Sequence, residues 1–193
     1  SSFLFSSGLV LDDYDAALWQ EGFCRTSFHH EDDGLNCERL CFVTAVSADR
    51  LMSIFFKLLD HLSDEVEVTL TSHHGIESDD EPCLLYDIGE IDLFALKSTL
   101  VDYEDLLLED CSMCLEVESP DGGSKIELDD HKLLRISGPD LVFFKARLEE
   151  LGLPFVEDLP LVSEISHTHR DFAEDNARME ELAKELGFEV SDY

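Results

Sequence analysis

The chain has 193 residues, 44% hydrophobic and 30% charged, enough for a sizeable core and incompatible with a disordered tail or a collagen-like fibre. Forty-five acidic residues face 13 basic ones, a net charge of −32, and such a field opposes nucleic acid and anionic membrane surfaces. The longest apolar runs, SIFFKLL and LVFFKA, fall far short of a bilayer span, and SSFLFSSGLVLDDYD at the start lacks the basic opening of a signal peptide, so the cytoplasm is the expected compartment.

In chain order, residues 1–36 read as an N-terminal segment in which Tyr14, Leu18, Trp19 and Phe23 suggest a helix docked on the core. LCFVTAV (40–46) then predicts a strand. A helix from Ser47 follows, with Leu51, Ile54, Phe55, Leu58 and Leu62 on one face, and EVEVTLT (65–71) alternates as a half-wet strand does. CLLYDIG (83–89) opens a second unit. Its helix, about 91–109, carries a stripe of Leu93, Leu96, Leu100, Tyr103 and Leu107, and SMCLEVES (112–119) is the return strand.

PDGG (120–123) predicts a hairpin turn, because glycine supplies the positive φ that tight turns need. SKIELDDHKLLRIS (124–137) is a strand pair or one broken strand. SGPD next predicts a helix start, with Ser137 or Gly138 as cap, and the helix runs to Gly152. Residues 154–165 read as a returning edge strand because of Pro154 and Pro160, and 171–186 as a last helix.

Two βαβ units in tandem predict an α+β, ferredoxin-like two-layer sandwich over 37–119. A third βαβ unit over 120–170 and a C-terminal helix over 171–193 would extend it, all within one compact domain spanning 1–193.

Six of the eight histidines fall in close pairs: His29/His30, His73/His74 and His167/His169. In a His-x-His strand both rings share a face with Cα atoms about 6.6 Å apart, close enough for one metal. Adjacent histidines point to opposite faces and need a turn to converge. Neighbouring carboxylates (Glu31, Asp32, Asp33, Glu77, Asp79, Asp80, Asp171) could complete a nitrogen and oxygen shell for a divalent metal. No motif with an established metal mechanism is present, and a solvated acidic loop explains SHHGIESDD without one.

The six cysteines sit mostly in or beside apolar runs and read as buried free thiols. In CSMC (111–114) a strand would turn the two sulfurs to opposite sides, which argues against chelation. Nucleophile-elbow and phosphate-loop patterns are absent.

The negative charge is clustered. Residues 76–116 hold 13 acidic residues and one base, Lys97. The leading functional expectation is therefore a non-enzymatic acidic protein of the immunity, inhibitor or charge-mimic type. It would meet a basic protein surface through Glu77, Asp79, Asp80, Glu81, Asp87, Glu90, Asp102, Glu104 and Asp105, with no cofactor, nucleic acid or membrane. One alternative is a metal-binding protein or metal-dependent hydrolase that uses the paired histidines. Another is a small-ligand regulatory module, supported by fold alone.

Overall fold

The computed structural model describes residues 3–12, 18–32, 35–74, 83–120, 122–170 and 173–188, and for 28–32 and 35–38 the backbone alone. Strand β1 (Leu9–Leu11) stands apart from the main sheet. That sheet has seven strands: β2 (Gly22–Asp32), β3 (Leu35–Ala45), β4 (Glu65–Ser72), β5 (Leu84–Asp92), β6 (Met113–Glu118), β7 (Lys125–Leu128) and β8 (Leu134–Ser137). The order is β2-β3-β8-β7-β6-β4-β5, and every neighbouring pair is antiparallel. Strand β9 (His167–His169) pairs with β1 in a small second sheet.

Five helices, α1 (Ala48–Leu59), α2 (Leu93–Asp102), α3 (Glu104–Glu109), α4 (Leu141–Glu150) and α5 (Ala173–Glu185), pack on one face of the large sheet. The alternation in the strands decides which face that is. In β4 every second residue is buried, so Val66, Val68 and Leu70 meet the helices while Glu65 and Glu67 stay wet. Helix α1 is the central contributor: Leu51, Phe55, Leu58 and Leu59 are all buried, and each side chain removed from water contributes roughly 1.5–3 kcal/mol.

Among the described residues, the opposite face is covered only at its β2–β3 end. There a second cluster of Leu9, Cys24, Cys41, Val43, Cys111, Leu133, Leu159 and Val162 packs beneath Phe3, Phe5 and Trp19. The rest of that face is open and carries Glu67, Glu116, Glu118, Lys125, Glu127 and Arg135.

The α+β class is as expected, but the strand order is not that of two interleaved βαβ units. Both crossovers exist: β3-α1-β4 and β5-α2-α3-β6 each join strands that run the same way. Only the second is interleaved, with β4 between β5 and β6. Strand β3 is separated from β6 by the β7–β8 hairpin. Hydrophobic periodicity identifies strands but not their neighbours, and the hairpin occupies the edge that a ferredoxin-like order would give to β3.

Four local expectations also change. The helix expected over 91–109 breaks at Tyr103, whose hydroxyl donates to Glu185 on α5 at 2.7 Å. The third unit is a hairpin followed by α4, and its return makes a single parallel bridge from Phe155 to Phe23 instead of an edge strand. Helix α4 is N-capped at Asp140 without a side-chain bond, not at Ser137 or Gly138. Phe23 lies in β2, while Trp19 packs edge-on against Phe5 with ring centroids 4.9 Å apart in an irregular segment; Tyr14 lies outside the described residues. Among the described residues, no helix is long and apolar enough to cross a membrane.

Candidate metal centre

The site begins with a glycine. A Cβ on Gly8 would overlap the Glu109 carbonyl oxygen and lie 2.7 Å from Cys111 Sγ, so only glycine lets the N-terminal segment run against the chain entering β6. Strand β1, just after it, then pairs with β9, setting Leu9 opposite His169 and Leu11 opposite His167. His-x-His on a strand turns both rings to one side. His167 Nε2 and His169 Nε2 stand 3.2 Å apart.

The third imidazole comes from the β7–β8 turn. Lys132 N donates to the Asp129 carbonyl at 3.0 Å, and Asp129 N donates to the Leu133 carbonyl at 3.0 Å. Asp129 Oδ1 also accepts from His131 N (3.0 Å) and Leu133 N (2.8 Å), while Oδ2 accepts from Arg135 Nε (3.0 Å). This bracing holds His131 against the His167 and His169 rings, with centroids 4.8 and 4.9 Å away. One ligand atom from each of the three rings lies within 4.8 Å of the others.

The second nitrogens are also engaged. His167 Nδ1 donates to the Ile165 carbonyl at 2.7 Å, leaving Nε2 with a free lone pair. The His169 ring lies against the Cys111 backbone, which favours its charged form. His131 Nδ1 bonds Asp130 Oδ1 at 2.6 Å, the carboxylate–histidine arrangement that fixes ring orientation and raises ligand basicity in metal sites.

The charges follow from these contacts. Burial pushes the Asp130 carboxyl up, but the His131 N–H and the positive potential of His131, His169 and His73 bring it below the ordinary carboxylate range. Burial disfavours a charged His131, yet Asp130 and Asp129 outweigh it and raise its pKa. Burial lowers His169, helped by His131 and His167 and opposed by Asp130.

The other histidine pairs are not brought here as pairs. His73 is exposed and close enough for its charge to be felt at Asp130. His74 turns inward instead, and its Nε2 meets Asp110 Oδ2 at 2.8 Å with both side chains almost fully buried. His29 and His30 sit in the far half of the β2–β3 ribbon, opposite Glu38 and Cys37, whereas β8 joins β3 only over 41–44. At about 3.4 Å per residue, that puts their backbone roughly 20 Å from the β7–β8 turn. His131 is the ligand that pairing in sequence did not find, since it is a lone histidine in a turn.

The expected docking residues divide between two sides of the molecule. Asp87 and Glu90 lie on edge strand β5, in register with Thr69 and Glu67. Asp102, Glu104 and Asp105 lie in the helical layer, and Asp105 pairs with Arg178 at 2.8 Å. Glu77, Asp79, Asp80 and Glu81 fall outside the described residues, as do Asp33 and Asp171. Cys24, Cys41, Cys83, Cys111 and Cys114 are free thiols. No protein-family model matches the chain, and no curated protein or solved structure matches it either.

Proposed function

We propose that the protein binds a divalent metal of the zinc type through His131, His167 and His169, with Asp130 orienting His131. One observation carries the reading: two imidazole Nε2 atoms face each other at 3.2 Å. Tetrahedral coordination with metal–nitrogen bonds of 2.0–2.1 Å sets neighbouring ligand atoms about 3.3 Å apart. The third ring must close by at most about 1.5 Å to complete that geometry.

Three protein ligands leave a fourth position for water, and all three rings are partly exposed. A metal ion there supplies Lewis acidity that brings bound water toward neutral pKa. Hydrolysis is the chemistry this arrangement suits. The test is elemental analysis of protein purified without a histidine tag. About one equivalent of metal is expected, lost in a His167→Ala/His169→Ala variant that keeps its circular dichroism. Metal-free wild type that takes up no zinc on dialysis would sink the reading.

A second reading, a basic protein partner, is supported by the open sheet face. Glu90, Glu67 and Glu118 stand in register across β5, β4 and β6. Like charges so placed are destabilising in the free protein, and a cationic partner relieves that. A lysine-rich peptide should bind at low salt, more weakly to Glu67→Gln/Glu90→Gln; equal binding to both proteins would refute it.

A further inference from the structure

The open face of the large sheet holds a hollow where four strands lie side by side. Two rows of side chains cross it in register: Cys41, Ser137 and Lys125 on β3, β8 and β7, and Arg135, Glu127 and Glu116 on β8, β7 and β6. Residues two apart on one strand share a face at a spacing of about 6.8 Å, which separates the rows. Cys41 and Ser137 are short, whereas Lys125, Arg135, Glu127 and Glu116 are long, so the first row leaves a gap that the longer side chains fence. The gap holds about 250 Å³ of free space and is lined by these six residues. At about 30 Å³ for each water-sized group, it takes a molecule of about eight non-hydrogen atoms.

The charges around the gap are unevenly matched. Lys125 Nζ meets Glu116 Oε2 at 3.0 Å, and Arg135 Nε donates to Asp129 Oδ2 at 3.0 Å. Glu127 stands opposite Arg135 on one side and Glu116 on the other, yet among the described residues its carboxylate makes neither an ion pair nor a hydrogen bond. Asp129 takes the Nε side of the guanidinium, which leaves the terminal nitrogens of Arg135 for another acceptor. Both groups can be reached from outside: 34% of the Arg135 side chain is exposed, and Glu127 is half-buried. Opposite charges thus line one gap without neutralising each other. Burial, then Asp129 and Glu116, push the Glu127 pKa up to about 7 against Arg135 and Lys125, so the ionised carboxylate lowers the stability of the free protein at pH 8. A fold keeps such a group where function needs it.

We propose that this hollow binds a small free α-amino acid, its ammonium group pairing with Glu127 and its carboxylate with the terminal nitrogens of Arg135. The two strands that carry these residues lie about 4.8 Å apart, which suits a ligand whose opposite charges are separated by a single carbon. A lone carboxylate would meet Glu127 and the net charge of −32. A lone amine would leave the guanidinium unanswered. The free space admits a side chain up to about the size of threonine or valine, lying over Cys41 and Ser137. Of the other groups facing Glu127, Lys125 on β7 is paired with Glu116 on β6, Asp129 on β7 is paired with Arg135 on β8, and burial raises the Cys41 thiol on β3 so that it stays neutral. The site needs no metal and stands independently of the histidine centre.

The experiment is a titration of the full chain with L-alanine, followed by amide chemical shifts in two-dimensional NMR. The protein is first dialysed against chelator, so that the amino acid has no metal to bind. Saturable shifts are expected at residues 41, 116, 125–127 and 135–137. Propionate and ethylamine, each lacking one of the two charges, should bind at least tenfold more weakly at physiological salt. Glu127→Gln keeps the shape of the side chain and should lose at least tenfold in alanine affinity. Ser137→Leu fills the gap without touching either charge and should abolish binding, which keeps the test open if the first variant fails to fold. In wild type, affinity should rise about five- to tenfold from pH 6 to pH 8, as Glu127 gives up the proton that excludes the ammonium group. Propionate or ethylamine matching alanine, unchanged affinity in either variant, a flat pH profile in wild type, or no response to alanine at all would overturn the proposal.

Discussion

His74, almost fully buried, and His167, partly exposed, are imidazoles near the same end of the sheet, and their surroundings differ in kind. His74 finds its partner inside the fold. Its Nε2 meets the Asp110 carboxylate at 2.8 Å, Asp110 Oδ1 also accepts from Ser112 N, and both ring and carboxylate are shut away from water. His167 instead donates from Nδ1 to a backbone carbonyl and turns its remaining nitrogen toward another imidazole nitrogen, with no carboxylate between them. The first arrangement is complete without a guest. The second places lone pairs where only a proton or a cation can satisfy both. The difference between a structural histidine and a ligand histidine is therefore visible in what the second nitrogen faces, not in spacing along the chain.

Several substitutions can break or sharpen that contrast. Removing one member of a buried pair leaves the other uncompensated, so His74→Ala should cost about 3–5 kcal/mol in urea unfolding while metal content stays at the wild-type level. A variant of near-wild-type stability would place His74 with the ligands instead. Asp130→Asn keeps the shape of the turn but removes the charge behind His131, so metal affinity should fall about 10–100-fold by competition with a chromogenic chelator; an unchanged affinity would remove Asp130 from the site.

A smaller effect is expected at Glu127, a carboxyl on the open face that is likewise short of compensation. Burial first, then Asp129 and Glu116, push its pKa up to about 7, with Arg135 and Lys125 opposing. A carboxyl raised in the folded state contributes stability below its unfolded pKa that is lost as pH rises through the folded value. Glu127→Gln should therefore be more stable than wild type by about 1–2 kcal/mol at pH 8, with the advantage fading toward pH 4.5. Equal melting curves at pH 8 would show that the carboxyl is solvated. Smallest of all, His29→Ala/His30→Ala should leave metal binding unchanged, because the ribbon holds those residues far from the turn.

The chain order of elements was largely legible, and for definite reasons. The stripe of Leu51, Phe55 and Leu58 predicts α1, and the acid–aliphatic alternation of 65–71 predicts β4 together with its wet face. PDGG likewise precedes β7 as expected of a turn. The sheet order was not legible, because nothing local in β3 records that the β7–β8 hairpin will lie beside it. The candidate site divides along the same line. His167 and His169 share a strand, so a period of two places their rings together. His131 joins them only through the pairing of β9 with β1 and the close passage at Gly8, contacts made between parts of the chain distant in sequence. Lys132 in a left-handed turn carries no sequence signal either, since glycine or asparagine is the residue that would have announced it.

The β1–β9 ladder is only three residues long on each side, and it joins segments about 160 residues apart while remaining separate from the seven-stranded sheet. An ion gripped by His131 on one side and His167 and His169 on the other would rivet that small ladder to the main body, closing the long stretch of chain between the two attachment points. Loading the site would then do mechanical as well as chemical work. Stripped protein should fray first at this ladder, exchanging the amide hydrogens of 9–11 and 167–169 sooner than those of β4 or β6.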